Sequence, residues 1–263
     1  MKLMHVKAWA IVSSVAISMS LLAGCKPRNE PVRDDTQSVV QEEKLDSIPL
    51  IQSKTIEMNV LKPEACLVEG CTQYNLQTVE TNVDWINQYF DDRIKKAQPA
   101  AFSPEPNEKV NIAEGSNAGV SQSSMSIRYM SQWYKVATFI AYSYTYSAGA
   151  AHGLYHTEYV NFDLGQQKRI SLQDILQKGA EKKVVDELYN ANSIWLHDHS
   201  ITREKLQLSD NFYYGPEGIV FVYPLYELAS YAEGMTELVL PYRVSQALFK
   251  PEYLPSLPSY KKR

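Results

Sequence analysis

Cys25 is the residue of this chain whose chemistry is plainest. It closes Leu22-Ala23-Gly24-Cys25, after a segment that opens with Lys2 and Lys7 and runs apolar from Ala8 to Leu22. The pattern is that of a bacterial secretion signal with a lipoprotein cleavage site, spanning residues 1–24. Small residues before the cysteine fit a signal peptidase pocket, and the Cys25 thiol is then the nucleophile that takes a diacylglycerol group. An ordinary signal peptide or a membrane helix with a chance cysteine is the alternative, but a spanning helix needs about 20 apolar residues. The expected mature chain begins at a lipidated Cys25, outside the cytoplasm and tethered to a membrane. Lys26, not aspartate, follows the lipid site. In a Gram-negative cell this favours the outer membrane, with the domain facing the periplasm; a Gram-positive lipoprotein is the other setting.

Cys66 and Cys71 are five residues apart. In an oxidising compartment such a pair reads as a disulfide, and a zinc pair is the weaker alternative because no CxxC spacing accompanies it. His152 and His156 form an H-x-x-x-H pattern, which on a helix would bring two imidazoles to one metal ion. Here the pattern falls at a turn and strand entry, where an extended chain holds the two side chains about 13 Å apart at ~3.3 Å per residue. A bend at Gly153 would bring them closer, and His197, Asp198 and His199 are further possible ligands. A structural or hydrogen-bonding role for His152 is the favoured reading, and no metal or cofactor is expected. No G-x-S-x-G elbow is present. Glu227 and Glu237 are the acids a glycosidase could use, but such enzymes need two carboxyl groups at a set separation. The pairs Asp34-Asp35, Glu42-Glu43 and Asp91-Asp92 read as solvated.

The tyrosines offer a different chemistry. Tyr142, Tyr144 and Tyr146 alternate along one segment, and Tyr155, Tyr159, Tyr223, Tyr226 and Tyr231 lie on elements able to pair nearby. Sugar rings have apolar C–H faces that stack on aromatic rings, and phenol hydroxyls bind their polar rims. Protein interfaces also use tyrosine for rigid contact area. Cross-strand packing between tyrosines is the competing explanation.

These residues require elements to hold them. Residues 25–55 are polar and charged and read as a flexible tether, followed by one domain over 56–249 and a Pro-rich tail over 250–263. Residues 73–80 alternate as a strand. Thr81 or Asn82, with Asp84, suggests a capping box for a helix carrying Val83, Ile86, Phe90 and Ile94 on one face. Residues 100–122 read mostly as loop. Residues 134–147 form the clearest strand, with large and aromatic side chains at even positions. Its odd positions, mostly small, leave room for a helix to approach. Residues 154–164 return as a second strand with Val160, Phe162 and Leu164 on one side. Ser171 and Asp174 start another helix, and Val184, Leu188, Ala191 and Trp195 mark a longer one. Residues 212–214, 219–223 and 237–242 are strands, and residues 245–249 suggest a closing helical turn. Strands and helices mix without a βα repeat, so the expected class is α+β with an antiparallel sheet packed by helices.

Three stretches resemble an extracytoplasmic domain shared by RsiV-type anti-sigma factors and the N-terminal region of PdaC-type peptidoglycan deacetylases. The first is Tyr146-Ser147-Ala148-Gly149-Ala150-Ala151-His152, similar to the family's Gly-Gly-Ala-His turn, with Ala150 where a second glycine is more frequent. The second is Asn161-Phe162-Asp163-Leu164 followed by Ile170-Ser171-Leu172-Gln173-Asp174-Ile175-Leu176. The third runs from Phe212 and Gly218-Ile219-Val220-Phe221 through Pro224-Leu225-Tyr226-Glu227-Leu228-Ala229-Ser230-Tyr231-Ala232-Glu233-Gly234 to Leu240-Pro241-Tyr242. The resemblance covers about residues 134–249 and implies cell-wall-related partners; members of the RsiV type bind lysozyme. No counterpart of the sigma-binding segment, the membrane helix or the deacetylase domain is read in this chain.

Removing residues 1–24 takes two lysines from 26 basic residues and none from 30 acidic ones, leaving a formal charge of −6. No basic patch stands out, which argues against nucleic acid. The expected protein is a non-catalytic envelope lipoprotein whose domain binds cell-wall glycan or a lysozyme-like wall hydrolase. Tyr142, Tyr144, Tyr146, His152, Tyr155, Tyr223, Tyr226, Glu227 and Tyr231 are its candidate contacts. A peptidoglycan-active enzyme using His152 or Glu227, and a structural protein binding another outer-membrane component, are the alternatives.

Overall fold

Ile86, Phe90 and Ile94 recur at helical spacing on α1 (Asp84–Ala97), and all three are completely buried. They pack on a sheet because the facing strand positions are small or flat. The computed structural model describes residues 48–110 and 119–255. The signal segment, Cys25, most of the tether and residues 256–263 lie outside the described residues. No described helix is long and apolar enough to cross a membrane.

The large sheet contains β1 (Ser53–Glu57), β2 (Glu64–Leu67), β3 (Gly70–Thr81), β4 (Ser121–Trp133), β5 (Val136–Tyr146), β6 (Leu154–Asp163) and β7 (Lys168–Ile170). The order is β1-β3-β4-β5-β6-β7, with β2 also paired to β3. Every pairing is antiparallel except β3 with β4. The odd positions of β5, Ala137, Phe139 and Ala141, join Val160 and Phe162 of β6 beneath α1, as their size suggests. The Phe90 ring lies 5.3 Å from that of Phe139 and 5.7 Å from that of Phe162.

The start of α1 corrects one expectation. Val83 occupies the N-cap and makes no side-chain cap, so the capping box does not form. Instead the Thr81 hydroxyl accepts the Val83 N–H at 3.1 Å, while the Asn87 amide both accepts from and donates to the Thr81 backbone. β4 begins within the span expected to be loop. Its serines hide the alternation in which Ser123, Met125 and Ile127 are buried and their neighbours are less so.

A second layer holds β8 (Phe212–Tyr214), β9 (Gly218–Tyr223) and β10 (Thr236–Pro241) in the order β10-β9-β8. Around it lie α2 (Leu172–Ile175), α3 (Glu181–Ala191), α4 (Ser193–Asp198) and α5 (Tyr242–Ser245). α2 starts with the expected capping box between Ser171 and Asp174. Its hydrogen bonds, led by the Ser171 backbone N–H, hold the Asp174 carboxyl at about 2. The longer helix expected through Trp195 breaks at Asn192. That side chain donates to the Val239 carbonyl and accepts its N–H, filling the free edge of β10, so Ala191 is exposed and Leu196 is buried. The closing turn is helical over α5, earlier than expected.

The boundaries of the domain also shift. Ile51 is buried and β1 starts at Ser53, within the span read as tether. Tyr253 and Leu254, within the span read as tail, are buried in the second core. The cause is Asp163, a wholly buried carboxylate. It accepts from the Tyr253 hydroxyl at 2.9 Å and the Gln166 N–H at 2.9 Å, and pairs with Lys135 at 3.0 Å. Mixed helices and antiparallel-dominated sheets make the fold α+β, as expected.

Candidate ligand-binding face

A strand shows alternate side chains to opposite faces, and direct partners on neighbouring strands share a face. α1 covers one face of the large sheet. On the other, register places Tyr155 opposite Tyr144, Tyr144 opposite Ser124, and Ser124 opposite Asn75. A second row runs beside it through Thr157, Tyr142, Ser126 and Gln77. Ser126 donates to the Gln77 side chain at 3.3 Å. The Tyr142 and Tyr155 rings stack diagonally between the rows at 6.4 Å. Tyr146 stands one step further along β5, opposite Gln122. The first row carries no charged group; the second continues beyond Gln77 to the Glu57 carboxylate on β1, and Arg128 flanks it two residues after Ser126 on β4. The rows are half-buried or exposed, whereas Val136, Thr138 and Asn161, nearer the other end of the same face, are buried under the second layer. There the Asn161 side chain donates to the Phe212 carbonyl at 2.7 Å.

Predicted residues also meet at an aromatic corner beside Tyr155. Tyr231 lies between two rings, stacked 4.2 Å from His152 and 5.7 Å from Tyr226. Its ring meets Tyr155 edge-on at 6.4 Å. The Tyr231 hydroxyl donates to the Gly153 carbonyl at 2.9 Å, and His152 Nδ1 lies 3.0 Å from the same oxygen. A carbonyl can only accept, so Nδ1 carries the proton in that contact. Gly153 matters for its size as well, because the Tyr144 ring lies directly against its Cα, where any Cβ would overlap the ring. Tyr226 adopts a left-handed backbone with φ 68° and remains exposed at the corner.

Tyr223 does not belong to this face. β9 is the central strand of the smaller sheet and is buried along its whole length. The Tyr223 hydroxyl donates to the Gln207 carbonyl at 2.7 Å. Tyr159 likewise stacks on Tyr213 at 4.2 Å, as packing. Glu227 follows Tyr226, and burial raises its carboxyl above the usual value. Glu237 is held elsewhere, accepting from the Tyr213 hydroxyl at 3.0 Å. Among the described residues no second carboxylate forms a hydrogen-bonded pair with Glu227.

Cys66 and Cys71 are direct partners in the β2–β3 hairpin and are joined as a disulfide. They cluster with Glu64 as the one described group with metal-like spacing, but oxidised cysteines offer no thiolate. His152 and His156 are in no such group among the described residues.

Two features escaped the sequence. One is the contribution of β4, whose Ser124 and Ser126 continue the rows; a serine carries no strand signal. The other is a cavity of about 690 Å³ between Trp133, Tyr134, Gln246, Pro251, Glu252 and Leu254. It joins segments more than a hundred residues apart in the chain, which no local pattern links.

Residues 162–243 match a domain family described as a protein of unknown function, DUF3298. The match takes in β7 to β10 and the loop of Tyr226 and Tyr231, and begins after Tyr155. The fold is similar to the crystal structure of a DUF3298 family protein from Pseudomonas aeruginosa PAO1. That comparison has 21% identity and a TM-score of 0.58, over 80% of this chain and 99% of that one. A DUF3298 family member from Bacteroides fragilis NCTC 9343 is similar at 17% identity and a TM-score of 0.55, over 77% and 95% of the two chains. No curated protein matches the sequence. Residues 162–243 thus match the DUF3298 model within a fold similar to that of solved DUF3298 family proteins.

Proposed function

We propose that this domain is a non-catalytic binding module for cell-wall glycan, held in the bacterial envelope by lipid on Cys25. The observation that carries the reading is the chemistry of the open sheet face. Phenol rings stand beside hydroxyls and amides, with charge only at the margin, at Glu57 beyond Gln77 and at Arg128 beside Ser126. Aromatic rings stack on the C–H faces of sugars, and amides and hydroxyls exchange hydrogen bonds with their rims. A neutral polysaccharide matches this surface better than a basic protein such as lysozyme, whose recognition calls for carboxylates. The resemblance to the RsiV- and PdaC-type domain favours a cell-wall partner of either kind.

In this reading His152 and Tyr231 hold the corner in shape, and the module works by capture without bond-making. The outer membrane, facing the periplasm, is the proposed site of anchorage. With Ile51 and β1 inside the domain, the proposed tether is about 25 residues, for which a flexible chain has an r.m.s. span of ~27 Å.

The experiment is calorimetric titration of the full-length protein in mild detergent with linear N-acetylglucosamine oligosaccharides, and separately with lysozyme, at two salt concentrations. Saturable glycan binding that is unchanged by salt and weakened by Tyr142→Ala is the expected result. Lysozyme binding that persists at high salt, with no glycan signal, would replace this reading with recognition of a hydrolase. Glycan turnover lost on Glu227→Ala would replace it with an enzyme.

A further inference from the structure

The row Tyr155–Tyr144–Ser124–Asn75 crosses four strands, one side chain from each of β6, β5, β4 and β3. Neighbouring strands are about 4.8 Å apart, so its four positions span ~14 Å. A pyranose unit in an extended chain advances by roughly one such strand spacing. The chemistry changes in order along the row: two aromatic rings, then a hydroxyl, then an amide. The neighbouring row shows a related order, with Tyr142 on β5, Ser126 on β4 and Gln77 on β3, and runs on to the Glu57 carboxylate on β1. Two parallel rows of the same polarity describe a track, which an isolated pair of stacked tyrosines would not. Beyond β6 the track meets Tyr231, set edge-on to Tyr155. Its far end, at Asn75, is exposed.

We propose that a single linear, uncharged polysaccharide lies across the strands on this track, about one sugar ring per strand and about four rings in all. This inference rests on the glycan-binding reading and adds the ligand's length and direction. Rings over Tyr155 and Tyr144 are held by stacking, and rings over Ser124 and Asn75 by hydrogen bonds to their hydroxyl and acetamido groups. The module is thereby selective for chains over single sugars, and for extended chains over branched ones, because a branch would need the room beside the first row that Tyr142 fills.

The test is a calorimetric series on the full-length protein in mild detergent, using N-acetylglucosamine oligomers of one to six rings. Affinity is expected to rise with each ring to about four and then level off, each ring over a tyrosine contributing roughly three- to tenfold. Asn75 is exposed, so Asn75→Ala leaves the fold intact. It is expected to weaken the tetramer severalfold and leave the dimer unchanged, whereas Tyr155→Ala weakens both. Equal affinity for one and four rings would overturn the track while leaving glycan binding in place. So would affinity still climbing at six rings, or an Asn75→Ala effect that is the same at every length. Absence of binding at any length would overturn the track together with the glycan reading.

Discussion

At the scale of single residues, the position of Tyr144 depends on one close contact. Gly153 is buried, and its missing Cβ is what allows the Tyr144 ring to lie against the chain. The need here is close approach, and the position does not have a left-handed backbone. Gly153→Ala must displace the tip of the half-buried Tyr144 ring, at a cost of about 1 kcal/mol, the low end of the overpacking range. Denaturant unfolding should report that loss, with an oligosaccharide affinity lowered severalfold. Unchanged stability and affinity would mean that Tyr144 is not held where the structure places it. The same carbonyl that accepts from Tyr231 also meets His152, which gives the H-x-x-x-H histidine a positioning role. The metal reading of that motif assumed a helix, and the chain supplies a turn followed by a strand. Tyr223 shows the matching limit on the tyrosines. Residue type marks a ring as able to bind, but only its strand's place in the sheet decides whether it is buried.

At the scale of elements, the loop after β9 is held against its neighbours by α4. Glu233 caps the turn that carries Tyr231, accepting from the Ser230 hydroxyl at 3.0 Å. Its other oxygen meets His199 Nε2 at 2.5 Å. His199 Nδ1 lies 2.8 Å from the Trp195 carbonyl, and the imidazole stacks on the Trp195 ring. Both partners of His199 accept hydrogen bonds, so the imidazole is held protonated, and the bond to Glu233 raises its pKa. Asp198 adds a smaller push in the same direction. The Glu233 carboxyl is lowered, first by His199 and then by Ser230. A raised histidine contributes fully below its ordinary value near 6.5 and loses that contribution as pH rises through the folded value. A lowered carboxylate contributes fully above its ordinary value near 4.5 and loses that contribution as pH falls. The clasp is thus complete between these two pH values. Amide exchange at residues 231–234, corrected for its intrinsic pH dependence, should show greatest protection there and less towards pH 9. His199→Gln should flatten the profile, and protection that is constant from pH 5 to 9 in the parent protein would contradict it. Most elements were legible from periodicity: α1 from its buried stripe, β5 and β6 from alternation, α2 from its capping box. β4 was not, because serine neither favours a strand nor marks its buried side. The break at Asn192 was not either, because it depends on β10, some 45 residues further along the chain.

At the scale of the whole molecule, charge and site point in different directions. The expected mature chain carries a formal −6, which by itself suggests attraction to basic partners. The rows on the open face carry little of that charge, a single carboxylate at Glu57 beyond Gln77. On the proposed reading their partner is set mainly by stacking and neutral hydrogen bonds, which salt screens little. Alternation and resemblance put Tyr142, Tyr144, Tyr146, His152, Tyr155, Tyr223, Tyr226, Glu227 and Tyr231 into one set; Tyr142, Tyr155, Tyr231, Tyr226 and His152 meet in the fold, while Tyr223 is buried away from them. Asn75, Gln77, Ser124 and Ser126 stayed invisible because their role comes from the parallel pairing of β3 with β4, a long-range register no local pattern encodes. The same holds for Asp163, whose bond to Tyr253 carries the fold past the expected boundary at residue 249. The most direct measurement is a tyrosine-selective NMR titration of the full-length protein in mild detergent with N-acetylglucosamine tetramer. The account predicts that the ring signals of Tyr142, Tyr144 and Tyr155 shift together and saturate, while those of buried Tyr223 and Tyr253 stay fixed. Saturable binding that leaves those three rings unmoved, or no shift at all, would contradict it.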